Sequence, residues 1–338
     1  MKIVQITAKQ KAELKEVPDP KASGEFAVVK ILSAPMCTEY KGYRDGTVST
    51  SLGHEAAGEV VEVGRDGPVS VGDRVVVMPQ RPCGRCPLCL KGEYIHCQKC
   101  LDLEKETGYA HGDGTYAQYI LKQDRLLVPI PEGVSYDQAS MACCGLGPTF
   151  GAMQIMNVDA FDMVVITGMG PVGLGGVINA VYRGARVVAV SRTPYRAKLA
   201  KELGAEAVVN PEDDDALQQF LELTAGIGFD KGVECAGIPE RMRLLVDGVR
   251  RKGQIAFVGE AGEFTLKISD DMIRKGLALH GAWHYNLGDI PRMMKIISDT
   301  LEKLDKLITH TYPITEVEEA FKQQMGGQCG KVVLHPWE

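Results

Sequence analysis

Phe161-Asp162-Met163-Val164-Val165-Ile166-Thr167 runs directly into Gly168-Met169-Gly170-Pro171-Val172-Gly173, and this junction decides the fold. The apolar run reads as a buried strand, and the glycines fall where a strand gives way to a helix. A helical stretch extends to Arg183, Gly184 stops it, and Arg186-Val187-Val188-Ala189-Val190 reads as the next strand. Strand, glycine turn, helix and strand make a βαβ unit. At such a turn backbone N–H groups and a helix N-terminus meet the pyrophosphate of a dinucleotide. Gly168, Gly170 and Gly173, with Pro171 and Val172 opening the helix, are therefore expected to bind one. Proline costs little in a first helical turn, where its missing N–H would have had no partner.

The end of the second strand selects the cofactor. A free ribose 2′-hydroxyl calls for Asp or Glu about 20 residues beyond the turn. Here Ser191 stands eighteen residues past Gly173, followed by Arg192 and Thr193. A hydroxyl and a guanidinium suit a 2′-phosphate, which a carboxylate would repel. The expectation is NADP(H) in preference to NAD(H), the alternative being that Arg192 is a solvated loop charge. Downstream, helices near 195–203, 213–224 and 239–249 alternate with strands near 207–209, 232–234, 255–258 and 277–281. Together they extend a doubly wound parallel sheet, with Cys235 in its core. An amphipathic helix near 290–304 follows. Thr315 and Glu318 are spaced as a capping box, and Lys331-Val332-Val333-Leu334 reads as a closing strand that returns to the first domain.

Before about residue 147 the chain is β-rich, with short strands at 27–32 and 74–77 punctuated by Gly, Pro and Asp. Within it lies Cys83-Gly84-Arg85-Cys86-Pro87-Leu88-Cys89, with Cys97 eight residues on. Such thiolates can surround one tetrahedral zinc, and the Gly and Pro let the loop wrap. Four protein ligands leave no position for a substrate, so this zinc is structural; Cys100 is spare. Earlier, Ser51-Leu52-Gly53-His54-Glu55 begins as a turn and runs on into a β-rich alternation at Glu59–Gly64. It sets an imidazole and a carboxylate at a strand mouth, a place to hold a metal. A lone His is more often structural, and Cys37 upstream with the cysteine cluster downstream raises the metal reading.

At 338 residues two domains are expected, and 45% hydrophobic with 24% charged residues describes an ordinary globular protein. The net charge of -6 is spread along the chain, without a basic stripe for nucleic acid or a basic amphipathic helix for a membrane. No apolar run reaches the roughly 18 residues of a spanning helix. The start does not read as a signal peptide, and ten cysteines then favour a reducing, cytoplasmic setting.

Taken together, Cys37, Gly53-His54-Glu55, the cysteines at 83, 86, 89 and 97, Asp113-Gly114-Thr115-Tyr116-Ala117 and Gly168–Gly173 resemble the zinc-dependent medium-chain alcohol dehydrogenase family over nearly the whole chain. The resemblance implies an α/β protein: a GroES-like β-rich catalytic domain at 1–146 with a structural zinc lobe at 79–100, a Rossmann domain at 147–284, and a return to the catalytic domain at 285–338, with a cleft between the two. It implies two zinc ions per chain. The catalytic one would take Cys37, His54 and Cys144, the last from Cys143-Cys144-Gly145-Leu146-Gly147-Pro148, with Cys143 the competing thiol and Glu55 a neighbouring, transiently ligating carboxylate. The family pattern after the first cysteine is one residue, then Ser or Thr, then Asp. Here Cys37-Thr38-Glu39-Tyr40-Lys41 departs from it. With one residue deleted, Thr38 becomes the proton-relay hydroxyl and Glu39 the carboxylate that orients His54; without the deletion, Glu39 stands in the relay position.

The implied activity is reversible oxidation of an alcohol, secondary or polyol, to a ketone or aldehyde with hydride transfer to NADP. The implied assembly is a homodimer or homotetramer acting on a small molecule. The competing expectations are a polyol or amino-alcohol dehydrogenase using NAD, a zinc-free NADPH quinone or enone reductase of the same fold, and a non-catalytic NADP(H)-binding protein.

Overall fold

The computed structural model describes all of residues 1–338. The chain divides into two compact units, Met1–Cys144 with Asn286–Glu338, and Gly145–Tyr285. The changes of unit thus fall after residues 144 and 285, against the expected 146 and 284.

In the first unit the ten-residue strand Phe26–Pro35 is the hub. Tyr119–Gln123 pairs with its first half, Lys331–His335 with its end, and Ala56–Val63 runs antiparallel to most of its length. Arg74–Val77, Leu127–Pro129 and the edge strand Ile308–Pro313 complete a seven-stranded sheet. The strand is buried on both faces, so it reads as a near-continuous apolar run. Its core packs Ile31, Val60, Val75 and Ile120 with Phe321 of the helix Val317–Gly326. Tyr43 stacks on Phe321 with ring centroids 4.5 Å apart and is fully buried, which makes it a packing residue.

The second unit is a six-stranded sheet. Ala207–Val209, Arg186–Val190, Met163–Thr167, Phe229–Glu234, Val249–Phe257 and Ala278–Gly281 lie side by side in that order. All neighbours are parallel. The first strand of the unit is thus central and the third lies at one edge, the Rossmann order, with the ligand end at the carboxyl ends of the strands.

Four local expectations fail for identifiable reasons. The strand expected from Phe161 begins at Met163, and Phe161 is 96% exposed in the turn before it. The amphipathic helix splits into Ile290–Asp299 and Leu301–Leu307 at Thr300, whose hydroxyl donates to the Ile296 carbonyl at 2.7 Å. The capping box does not form. Glu316 occupies the cap position of Val317–Gly326 without a side-chain bond, and Glu318 accepts from the Ala12 N–H at 2.8 Å. Cys235 is half-buried instead of lying in the core.

Candidate active site

Cys37 lies between Phe26–Pro35 and the helix Glu39–Asp45. His54 and Glu55 precede Ala56–Val63, after a turn in which Gly53 takes φ 80°, a left-handed value that favours glycine. Cys144 follows the helix Tyr136–Ser140. Three distant segments thus converge: the donor atoms of Cys37, His54, Glu55 and Cys144 all lie within 4.8 Å of one another. His54 Nε2 is 3.2 Å from Cys144 Sγ. Cys143 faces away, its thiol donating to the Val77 carbonyl at 3.4 Å, and burial pushes that thiol far up.

Glu39 closes on the other side of the imidazole, its Oε1 2.7 Å from His54 Nδ1. Its Oε2 accepts from the Tyr116 hydroxyl at 2.9 Å and from the Cys37 N–H at 3.2 Å. Burial alone would raise Glu39, but the bond and charge of His54 outweigh it and hold the carboxyl at about 2. Burial likewise pulls His54 down, and its bonds to Cys37 and Glu39 more than offset this, to about 11 with no metal bound. The Cys37 thiol is held well below its usual value, first by Cys144 and then, against burial, by His54 and Lys331. Such surroundings favour the thiolate, the form that binds metal.

Glu55 is fully buried, and both of its oxygens are engaged. Oε1 accepts from Lys331 Nζ at 2.6 Å and Oε2 from the Cys144 N–H at 3.0 Å. Burial pushes Glu55 up to about 7, with Lys331 opposing. Burial works against the Lys331 charge too, but Glu55 and the Cys37 sulfur raise it overall. Thr38 is exposed at the N-cap of Glu39–Asp45 and makes no side-chain cap bond. Lys331 and Tyr116 were not foreseen as site residues. The signal for Lys331 was a lysine heading the wholly apolar Val332-Val333-Leu334, where burial demands a partner of opposite charge.

A second cluster joins Cys83, Cys86, Cys89 and Cys97. The sulfurs of Cys83 and Cys89 are 4.0 Å apart and those of Cys86 and Cys89 3.4 Å, close to the roughly 4 Å between two thiolates that share one zinc. Cys97 Sγ accepts from the N–H groups of Cys83 and Lys99. Backbone N–H groups of Cys89 and Gln98 hold Cys86 down to about 6. Cys100 is exposed and stands outside the cluster. Both donor sets, two thiols with an imidazole and four thiols, suit zinc.

In the second unit the turn after Met163–Thr167 puts Gly168 at φ 81°. A Cβ on Gly168 would meet the Ala236 backbone, and one on Gly173 would run into the Gly168 carbonyl. Gly170 has nothing within 4 Å of where its Cβ would stand, so the backbone is open there to a close-lying group. The helix Pro171–Tyr182 starts at Gly170 with no side chain capping its N–H groups, and Val172 lies half-buried in its first turn. These features fit a pyrophosphate. Beyond Arg186–Val190, Ser191 Oγ accepts from the Thr193 N–H at 3.3 Å. Arg192, 70% exposed, stands 3.6 Å from Glu212.

Residues 25–132 match the alcohol dehydrogenase GroES-like domain and residues 171–299 the zinc-binding dehydrogenase domain. The chain is 32% identical to L-threonine 3-dehydrogenase of Symbiobacterium thermophilum, over 96% of this chain and 94% of the relative. It is 28% identical to sorbitol dehydrogenase of Halalkalibacterium halodurans, over 96% and 95%. Among solved structures, alcohol dehydrogenase from Thermus sp. ATN1 shares the fold, with a TM-score of 0.88 over 99% of both chains at 24% identity.

Proposed function

The chain belongs to the zinc-dependent medium-chain dehydrogenase family, and from that premise we propose that it reversibly oxidises a secondary alcohol or polyol to a ketone or aldehyde, passing the hydride to NADP. The observation that carries this is the meeting of Cys37, His54 and Cys144 at one point. A zinc held by these three would supply Lewis-acid polarisation of a carbinol oxygen, and a bound nicotinamide would accept the hydride.

The chain's own residues have separable parts. Glu39 fixes the His54 ring with the proton on Nδ1, which leaves the Nε2 lone pair for the metal. Tyr116 and the Cys37 N–H hold Glu39 in place. Glu55, anchored by Lys331, holds the Cys144 backbone and so positions its thiolate. Thr38 is the relay that passes the alcohol proton outward. Its exposure supports this, as does the engagement of both Glu39 oxygens, which leaves that carboxylate a poor carrier. The cysteines at 83, 86, 89 and 97 hold a structural zinc, Gly168–Gly173 the pyrophosphate, and Ser191 with Arg192 the 2′-phosphate. The enzyme works in the cytoplasm as a homodimer or homotetramer, a reading that rests on the family and on ten cysteines free of disulfides.

A second reading, a polyol or amino-alcohol dehydrogenase using NAD, is favoured by Glu212, an anion 3.6 Å from Arg192, and by the names of the threonine and sorbitol dehydrogenase relatives. A zinc-free reductase has no use for either donor cluster. Metal analysis of the purified protein with initial rates on secondary alcohols, polyols and amino alcohols, in both cofactors, separates these. Two zinc ions per chain and NADP-linked turnover are expected; zinc-loaded protein inactive on the whole panel overturns the proposal. Arg192→Ala should weaken NADPH binding about tenfold, the loss of one charge-assisted contact, and leave NADH unchanged in a fluorescence titration.

A further inference from the structure

Lys122 lies on Tyr119–Gln123, a strand of the first unit whose flanking residues Leu121 and Gln123 are buried without difficulty. Lys122 is 9% exposed, yet its ammonium forms no hydrogen bond and no ion pair. Its stem is buried while the ammonium keeps some contact with solvent, so water is the partner it has. The buried Lys331 has Glu55, and Lys231 has Asp162 at 2.5 Å; Lys122 has nothing comparable.

What Lys122 does have is a cavity, lined also by Gln80, Arg81, Asp113 and Gln123. It offers about 20 Å³ to the centre of a water-sized group, enough for one small ion. The charges around it are unbalanced. Arg81 Nη1 pairs with Asp113 at 2.6 Å, so one carboxylate faces two cations. Gln123 spends its amide on Glu25 at 2.6 Å and the Pro82 carbonyl at 3.3 Å. Burial and the Arg81 charge pull Lys122 down to about 8, with Asp113 and Cys143 opposing, so it stays mainly protonated at neutral pH. The surplus at the cavity is therefore positive.

We propose that this cavity is an anion site, in which Lys122 and Arg81 bind one small oxyanion or halide, either a free inorganic ion or the anionic end of a small ligand. The anion replaces water as the acceptor for Lys122 and balances the second cation, which Asp113 alone leaves unmatched. Neither Cys37, His54 nor Cys144 lines this cavity, while Arg81 stands two residues before Cys83 at the start of the cysteine lobe.

The test is calorimetric titration of the zinc-loaded protein with inorganic phosphate alone and with chloride alone, in a buffer of bulky organic anions at constant ionic strength. Lys122→Met keeps the apolar stem without the charge, and Arg81→Gln removes the second cation while leaving Lys122. Wild type should bind phosphate or chloride and show a rising thermal midpoint with anion concentration. Both variants should lose at least about tenfold in affinity together with that rise. The anion dependence of the midpoint is the decisive readout, since a general change in stability would shift it equally at every concentration. Failure of the wild type to bind either ion, or equal binding by wild type and Lys122→Met, overturns the proposal and assigns the cavity to water. A further arm identifies the source. A loss of kcat/KM in Lys122→Met confined to alcohols bearing a phosphate or carboxylate assigns the anion to the substrate; unchanged kcat/KM with lost phosphate binding assigns it to a free ion.

Discussion

Adjacent thiols meet opposite surroundings at positions 143 and 144. Cys144 faces His54 at 3.2 Å with its own N–H anchored to Glu55, whereas Cys143 is turned onto the Val77 carbonyl. Cys144→Ser should therefore lose the catalytic zinc and at least about a hundredfold in kcat, the order of several kcal/mol of Lewis-acid stabilisation. Cys143→Ser should keep both, as judged by metal content and rate. Glu39→Gln leaves the imidazole without its carboxylate, and zinc affinity should fall about 10- to 100-fold in competition with a chelator. Glu39 titrates at about 2 in the folded protein against 4.5 for an unperturbed carboxyl. A depressed pKa gives stability that is complete above about 4.5 and lost as pH falls toward 2. The metal-free Glu39→Gln protein should thus show a flatter acid denaturation profile across that window. His54 has the opposite sign. Raised from 6.5 to about 11 without metal, it must give up a proton to bind zinc, so zinc affinity should rise with pH.

Two elements owe their proposed roles to local geometry. The turn between Met163–Thr167 and Pro171–Tyr182 has no room for a side chain at Gly173, because a Cβ there would run into the Gly168 carbonyl. Gly173→Ala should cost about 1–3 kcal/mol of stability by overpacking and weaken dinucleotide binding, both measurable on one sample by thermal scans and fluorescence titration. The cysteine lobe has little apolar core beyond Cys86, Cys89 and Cys97 with Leu88 and Tyr94 against them, so the metal is expected to hold it together. Cys97→Ala should lose one zinc per chain and make residues 79–100 the first site of limited proteolysis. Both elements were legible because their logic is one of spacing: a thiolate every three residues and glycines at fixed offsets act within a single loop. The capping box at Thr315 and Glu318 had equally good spacing and failed, because Glu318 found the Ala12 N–H, a tertiary partner that local rules cannot see.

At the scale of the whole chain, the proposed metal donors lie in the unit with the mixed, mostly antiparallel sheet and the proposed dinucleotide turn in the unit with the parallel one. Stripping the metals with a chelator should abolish turnover yet leave the nicotinamide dissociation constant of Gly145–Tyr285 within about twofold, since none of the metal donors belongs to that unit. A large loss of dinucleotide affinity on chelation would contradict this division. No helix is long and apolar enough to cross a membrane.

The parallel α/β half, the glycine turn, the four-cysteine lobe and the residue types around His54 can be read from the chain alone, because each is encoded by periodicity or by spacing along one short stretch. Which of two neighbouring cysteines faces the imidazole, that Glu39 braces His54, and that Lys331 reaches Glu55 across 276 residues become visible once the chain is folded. The physical reason is that a side chain's partner is set by which strands the fold lays side by side, and a buried charge such as Lys331 or Lys122 is explained only by what surrounds it in space.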